Sequence, residues 1–131
     1  MPMNPREMLF ACGMVGILDS DLAHILSVDP RQVQQWHEGG DVARRYQPQI
    51  VALLEATWTK MYYEAKQRGL GEADELAIQE ILPALHLVCE PVKRDPILRP
   101  LYRKTLLRML DALEKTNNRM RVVVPGDVDA T

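Results

Sequence analysis

Residues 17–39 constrain the fold most, because they contain start and stop signals for two short helices in succession. The first helix is predicted to begin near Asp19 or Ser20. The second has Asp29 as a capping carboxylate and Pro30 at the first helical position, where proline is favoured. A glycine pair at positions 39 and 40 is expected to stop this helix. The segment therefore predicts two short helices joined by a tight turn.

Apolar side chains in this segment recur at helical spacing. Val33 and Trp36 are three residues apart, so they share one face of the second helix and are predicted to point inward. The first helix places its own apolar residues in the same way, and one more lies in the turn. The predicted core of the segment is Leu22, Ala23, Leu26, Val28, Val33 and Trp36.

A helix before this segment has the same kind of start signal. Asn4 is a candidate cap, and Pro5 suits the first helical position. Glu7 stands where a side chain can return a hydrogen bond to the cap, as Gln32 does in the later helix. The two signals together predict helices that begin at both prolines.

A longer fourth helix is predicted over residues 48–66. Its apolar side chains cover an arc wide enough for burial on two sides. One side is expected to cover the N-terminal helices, and the other needs either the C-terminal half of the chain or a second copy of the chain. The predicted dimer interface is Leu54, Trp58, Met61 and Tyr62.

Glycines at positions 69 and 71 indicate a hinge that divides the chain. Beyond it we predict a helix over 72–88 that Pro83 breaks or restarts, a proline-punctuated connection over 90–100, and a last helix over 101–117. The predicted domains are residues 1–68 and a helical hairpin over 72–117. Residues 118–131 are predicted to be a frayed tail, with a short strand at 122–124 as the alternative.

Residue usage argues against several classes of protein. Cys12 and Cys89 form no CxxC pair, and their apolar helical surroundings predict buried thiols in a reducing compartment. His24, His37 and His86 share no spacing with one another or with cysteine, so no metal site is predicted. No phosphate loop or nucleophile–base pair is found, so we expect neither a cofactor nor an enzyme. No segment suits a signal peptide or a membrane span, which predicts a cytoplasmic protein.

Residues 17–39 resemble the helix-turn-helix segment of the phage-repressor-type DNA-binding proteins, Cro-like or Xre-like. The apolar positions that carry the resemblance are the six core residues named above, followed by Gly39, with no gap in the spacing. The resemblance implies a helical bundle, dimeric operator binding and transcriptional regulation. The expected fold is therefore all-α: a helix-turn-helix bundle with a long fourth helix and a C-terminal helical extension.

The same resemblance implies which side chains of the second helix would face a DNA duplex. Arginine can pair bidentately with guanine and glutamine with adenine, so the chemistry of this face suits double-stranded DNA independently of the family. A solvated polar face is the simpler alternative, but few lysines and glutamates stand on it. The predicted recognition positions are Pro30, Arg31, Gln32, Gln34 and Gln35.

Basic residues elsewhere are candidates for phosphate contacts. Arg44 and Arg45 precede the fourth helix and are predicted to clamp phosphates beside the site, with ordinary surface arginines as the alternative. On the last helix, Lys104, Arg108 and Lys115 are first interpreted as a solvated face and second as a nucleic-acid surface. The net charge of −2 counts against a nucleic-acid binder, although a local basic face is enough.

Three features depart from the family's pattern. Ser27 replaces its turn glycine, and a non-glycine residue there carries left-handed strain of about 1 kcal/mol. Leu18 and Asp19 stand where the family often has a hydroxyl residue and a glutamine, and Asp19 and Asp21 would repel phosphates if they faced the duplex. The alternative function is therefore a protein-interaction module, such as an antitoxin or anti-activator, that binds a partner through its C-terminal helices.

Overall fold

A computed structural model describes residues 3–116 of the chain. These residues form six α-helices and one 3-10 turn, with no strand among them, so the predicted all-α fold is confirmed. The predicted tail at 118–131 lies outside the described residues. The elements are α1 (Pro5–Met14), α2 (Asp19–Leu26), α3 (Pro30–His37), the 3-10 turn (Arg44–Tyr46), α4 (Gln47–Arg68), α5 (Glu72–Arg94) and α6 (Leu98–Thr116).

Side-chain caps begin α1 and α3 where the sequence predicted them. The side-chain amide oxygen of Asn4 accepts from the backbone N–H of Arg6 at 2.9 Å, and the Asp29 carboxylate accepts from that of Arg31 at 2.8 Å. Each helix then starts at its proline. The predicted return bonds are wrong, since within residues 3–112 neither the Glu7 side chain nor the Gln32 side chain bonds to the backbone N–H of its cap. One capping oxygen per helix is therefore sufficient.

The glycine pair stops α3 through a Schellman motif. The backbone N–H of Gly39 donates to the carbonyl of Trp36 at 3.1 Å, and that of Gly40 donates to the carbonyl of Gln35 at 2.8 Å. Gly39 has a φ of 93°, and a Cβ at position 40 would lie 2.9 Å from the Gln35 carbonyl oxygen. Both positions therefore need glycine for different reasons.

The turn between α2 and α3 uses the same motif, but with Ser27 in the left-handed position at φ 54°. The N–H of Val28 donates to the Ala23 carbonyl at 3.0 Å. Ser27 is the one non-glycine residue with positive φ among residues 3–116. The strain expected from the sequence is therefore located in the turn that joins the two helices.

Replacing Ser27 with glycine is expected to raise the free energy of unfolding by about 0.5–1 kcal/mol, because glycine removes the left-handed strain but loses more backbone entropy on folding. Urea denaturation measures the change. Ser20→Gly is the matched control, since Ser20 is exposed inside α2 and the same replacement there should lower stability by about 0.5 kcal/mol. Destabilisation by both variants would contradict a strained turn.

One hydrophobic core joins the two halves of the chain. α5 packs against α1, and α6 packs along α4, so both sides of the long helix are covered by the chain itself. Leu54 is fully buried in this core. Its predicted place in a dimer interface is therefore wrong, because α5 and α6, the C-terminal half of the chain, cover it instead of a second copy.

The prolines of α5 do not interrupt it. The predicted break at Pro83 and the predicted connection at 90–100 are both wrong, because α5 runs unbroken through Pro83 and Pro91 to Arg94. Both prolines are exposed, so the carbonyls that lose a donor lie on the solvent side of the helix. Apolar residues on the opposite side hold the helix against the core: Ile81, Leu85, Val88, Cys89 and Val92.

The connection to α6 is only three residues long and ends in a cap. The Asp95 carboxylate accepts from the backbone N–H groups of Ile97 and Leu98 at 2.8 and 3.3 Å. α6 therefore begins at Leu98 rather than at the predicted residue 101. Pro100 falls in the first turn of this helix, where proline is tolerated.

Both cysteines lie inside the shared core, as the sequence predicted. Burial raises the pKa of the Cys12 and Cys89 thiols to about 12 in each case. Neither thiol is therefore ionised at neutral pH, and the thiolate is the reactive form. Of the described helices, none alone combines the length and apolarity needed to cross a membrane, and one bent pair, α1 with α2, passes by length and composition only.

Candidate nucleic-acid interface

The inner face of α3 is anchored by two buried side chains. Val33 and Trp36 are fully buried, and the Trp36 ring meets the Tyr46 ring edge-on at a centroid distance of 6.0 Å. α1 and α2 pack against this side of the helix. Of the other core positions of the segment, Val28 is half-buried, and three are buried: Leu22, Ala23 and Leu26. α3 is thus held firmly on one side.

The opposite face of α3 is open to solvent. Arg31, Gln34 and Gln35 are exposed and share this face at spacings of three and four residues, with exposed Pro30 at its start. Gln32 is only half-buried, because it precedes Trp36 by one turn and lies beside the packed side. The open face therefore contains four of the five predicted recognition residues, and neither α5 nor α6 covers it.

The two acids that departed from the family's pattern have partners within the protein. Nε2 of His37, at the end of α3, lies 2.7 Å from Oδ2 of Asp19 at the start of α2. The Asp21 carboxylate accepts from the backbone N–H of Leu18 at 3.3 Å and so caps α2. Both carboxylates therefore also serve the protein, which reduces the objection that they repel a duplex.

The two predicted phosphate clamps differ from each other. Arg44, in the 3-10 turn, is ion-paired with Asp95 in the connection between α5 and α6. The backbone N–H of Ile97, and after it the Arg44 guanidinium, hold the pKa of the Asp95 carboxyl below its usual value. Arg45 instead stacks over the Tyr46 ring at 4.8 Å and donates to its hydroxyl at 2.9 Å. Arg45 is therefore the arginine left with its charge free for a ligand. The sequence analysis missed Tyr46, although an aromatic residue directly after two arginines is a recognisable platform for one of them.

Charge is distributed unevenly over the described chain. Residues 3–43 carry six acids against only Arg6 and Arg31. Residues 98–112 of α6 carry four basic side chains against only Asp111. The two-helix segment therefore supplies groups that suit base edges but little of the positive charge that phosphate binding needs.

Across residues 3–112 no three side chains of His, Cys, Asp or Glu come together in a way that could hold a metal ion. The chain matches no protein-family model, no curated protein and no solved structure. The likeness to helix-turn-helix proteins therefore depends on residues 17–39 and on the geometry of α2 and α3.

Proposed function

We propose that this protein is a sequence-specific regulator of transcription that binds double-stranded DNA with α3 in the major groove. One observation carries the proposal: α3 is anchored through buried Trp36 while Arg31, Gln34 and Gln35 stand exposed on its other face. A helix fits the width of the major groove, and these side chains are the ones that read guanine and adenine there.

The position of Arg31 supports this function. In helix-turn-helix proteins the N-terminal residues of the recognition helix contact base edges, and Arg31 is the second residue of α3. Its backbone N–H donates to the Asp29 carboxylate, but its guanidinium forms no ion pair within residues 3–112. The bidentate donor of this face is therefore available to a base.

The proposal includes a homodimer that represses by occupying a promoter. Two copies of α3 would read half-sites about 34–36 Å apart. Without Leu54, the remaining candidates for the dimer contact are Trp58, Met61 and Tyr62, which are half-buried on one side of α4. Trp58 and Tyr62 stack at a centroid distance of 5.4 Å and present a preorganised aromatic pair.

Selection of bound fragments from random DNA tests the proposal. The wild-type chain should enrich a palindromic sequence. Arg31→Ala and Gln34→Ala should each relax one base position by about 1–3 kcal/mol and leave the other positions unchanged, because each bidentate pair discriminates one base. Gln79→Ala, an exposed glutamine of α5, is the control that should change nothing. Base recognition by α3 is refuted if the wild-type chain enriches no DNA sequence, or if both variants keep the wild-type base preference.

A second candidate function is supported by an exposed apolar strip on α5. Leu76 and Leu87 are 56% and 60% exposed, and they share one helix face with exposed Pro83. A partner protein bound there would make this chain an antitoxin-like or anti-activator module. Its binding should change little with salt and be lost in Leu87→Asp, whereas binding through phosphates weakens steeply as salt rises.

A further inference from the structure

We infer that a groove between the 3-10 turn and α6 binds the phosphate backbone of the duplex through Arg45, Lys104 and Arg108. The inference rests on the proposed function and extends it, because it assigns the C-terminal helix to the DNA-binding surface. It also names the source of the positive charge that residues 3–43 do not provide.

The groove is formed where the start of α4 meets the outer edge of α6. It has a volume of about 350 Å³, and basic side chains approach it from both walls. Lys104 and Arg108 are four residues apart, so they stand one above the other on the same edge of α6. The lining residues are Arg45, Pro48, Gln49, Leu101, Lys104, Thr105 and Arg108.

Within residues 3–112 the basic side chains of this groove have no acidic partner. Five other basic residues of the described chain pair with acids: Arg44, Lys60, Arg68, Lys93 and Arg94. No ion pair within residues 3–112 involves Arg45, Lys104 or Arg108.

Like charges four residues apart destabilise a helix, so the Lys104–Arg108 pair weakens α6 in the absence of an anion. An anionic ligand bound between the two side chains would relieve this repulsion. Phosphate is the ligand that such a pair fits best, since each cation can neutralise one group along a charged strand.

The groove begins beside the anchor of α3. The Tyr46 ring contacts the Trp36 ring, and the Arg45 guanidinium lies over the Tyr46 ring. From Arg45 the basic surface continues onto α6. A duplex that receives α3 in its major groove presents sugar-phosphate strands on both sides of the helix. Phosphate contacts at the basic surface require one of those strands to extend from α3 past Tyr46 to α6.

The opposite edge of α6 provides a matched control. Arg99 and Arg103 form a second pair with the same charge and the same spacing, and both are exposed. They line a different depression, next to Tyr102 and Lys93, and Lys93 is already paired with Glu55. Removal of either pair subtracts the same net charge, so only the position of the charge differs.

The experiment compares Lys104→Ala/Arg108→Ala with Arg99→Ala/Arg103→Ala in the full chain. Binding to a selected duplex and to an unrelated duplex is measured by fluorescence anisotropy between 50 and 200 mM salt. The first variant should reduce the slope of log K against log salt by about 2 and weaken both duplexes alike, since each phosphate contact contributes about 0.9 to the slope. The control should leave the slope unchanged. Lys104→Arg/Arg108→Lys should retain the wild-type slope.

Two results would overturn the inference. Equal losses in both double variants would show that the overall charge of α6 matters rather than the groove, and an unchanged slope in the first variant would show that the groove is not a contact. In both cases Arg31→Ala still alters base preference if the proposed function is correct. Absence of binding to any duplex by the folded wild type refutes the proposed function and the inference together.

Discussion

Trp36→Ala is expected to lower the free energy of unfolding by about 3–5 kcal/mol, the largest effect of any single change proposed for this chain. Trp36 is fully buried between α1, α2 and the 3-10 turn, and its ring supports Tyr46. Its loss leaves a cavity at the point where α3 is anchored. Urea denaturation followed by circular dichroism measures the change.

Trp36→Phe is the control for this effect. The indole Nε1–H is buried and has no hydrogen-bond acceptor among the described residues, so its removal relieves an unpaired polar group. Phenylalanine also fills most of the space, and the loss of stability should be clearly smaller than with alanine. If alanine and phenylalanine destabilise equally, or if alanine costs less than about 1 kcal/mol, Trp36 does not anchor α3.

Leu54→Ala is expected to lower the free energy of unfolding by about 2–5 kcal/mol, because a fully buried leucine leaves a cavity when it is truncated. Since Leu54 packs inside a single copy of the chain, the loss relative to wild type should be the same at low and high protein concentration. The self-association constant, measured by analytical ultracentrifugation, should not change.

Met61→Ala is the comparison for Leu54→Ala. Met61 is half-buried on α4, so its truncation should cost less stability, and if α4 mediates a dimer it should weaken self-association instead. A Leu54→Ala defect that disappears as protein concentration rises would return Leu54 to an interface between copies. The pair of variants therefore separates the core of α4 from its candidate contact surface.

The parts of the fold that are predictable from the sequence depend on contacts between residues a few positions apart. The Asn4 and Asp29 side chains accept hydrogen bonds from backbone N–H groups two residues away, so α1 and α3 begin where the sequence predicts. The end of α3 is equally local, because Gly39 and Gly40 close it by hydrogen bonds to the preceding turn. The open face of α3 follows from the same local spacing once Trp36 is buried.

The remainder depends on contacts that are distant in sequence. Proline propensity predicts a break at Pro83, but burial of Ile81 and Leu85 beside it keeps α5 continuous. The pairing of Arg44 with Asp95 joins residues 51 positions apart, and no local pattern indicates it. The basic groove likewise exists only because α6 packs along α4 and brings Lys104 close to Arg45.

The core shared by α1 and α5 limits how this protein can be engineered. Cys12 and Cys89 are both buried in it although they come from opposite halves of the chain. A fragment cut after α4 would expose the apolar flanks of both α1 and α4 to water. The first 68 residues are therefore not expected to fold alone, and a fusion protein that uses them must retain α5 and α6.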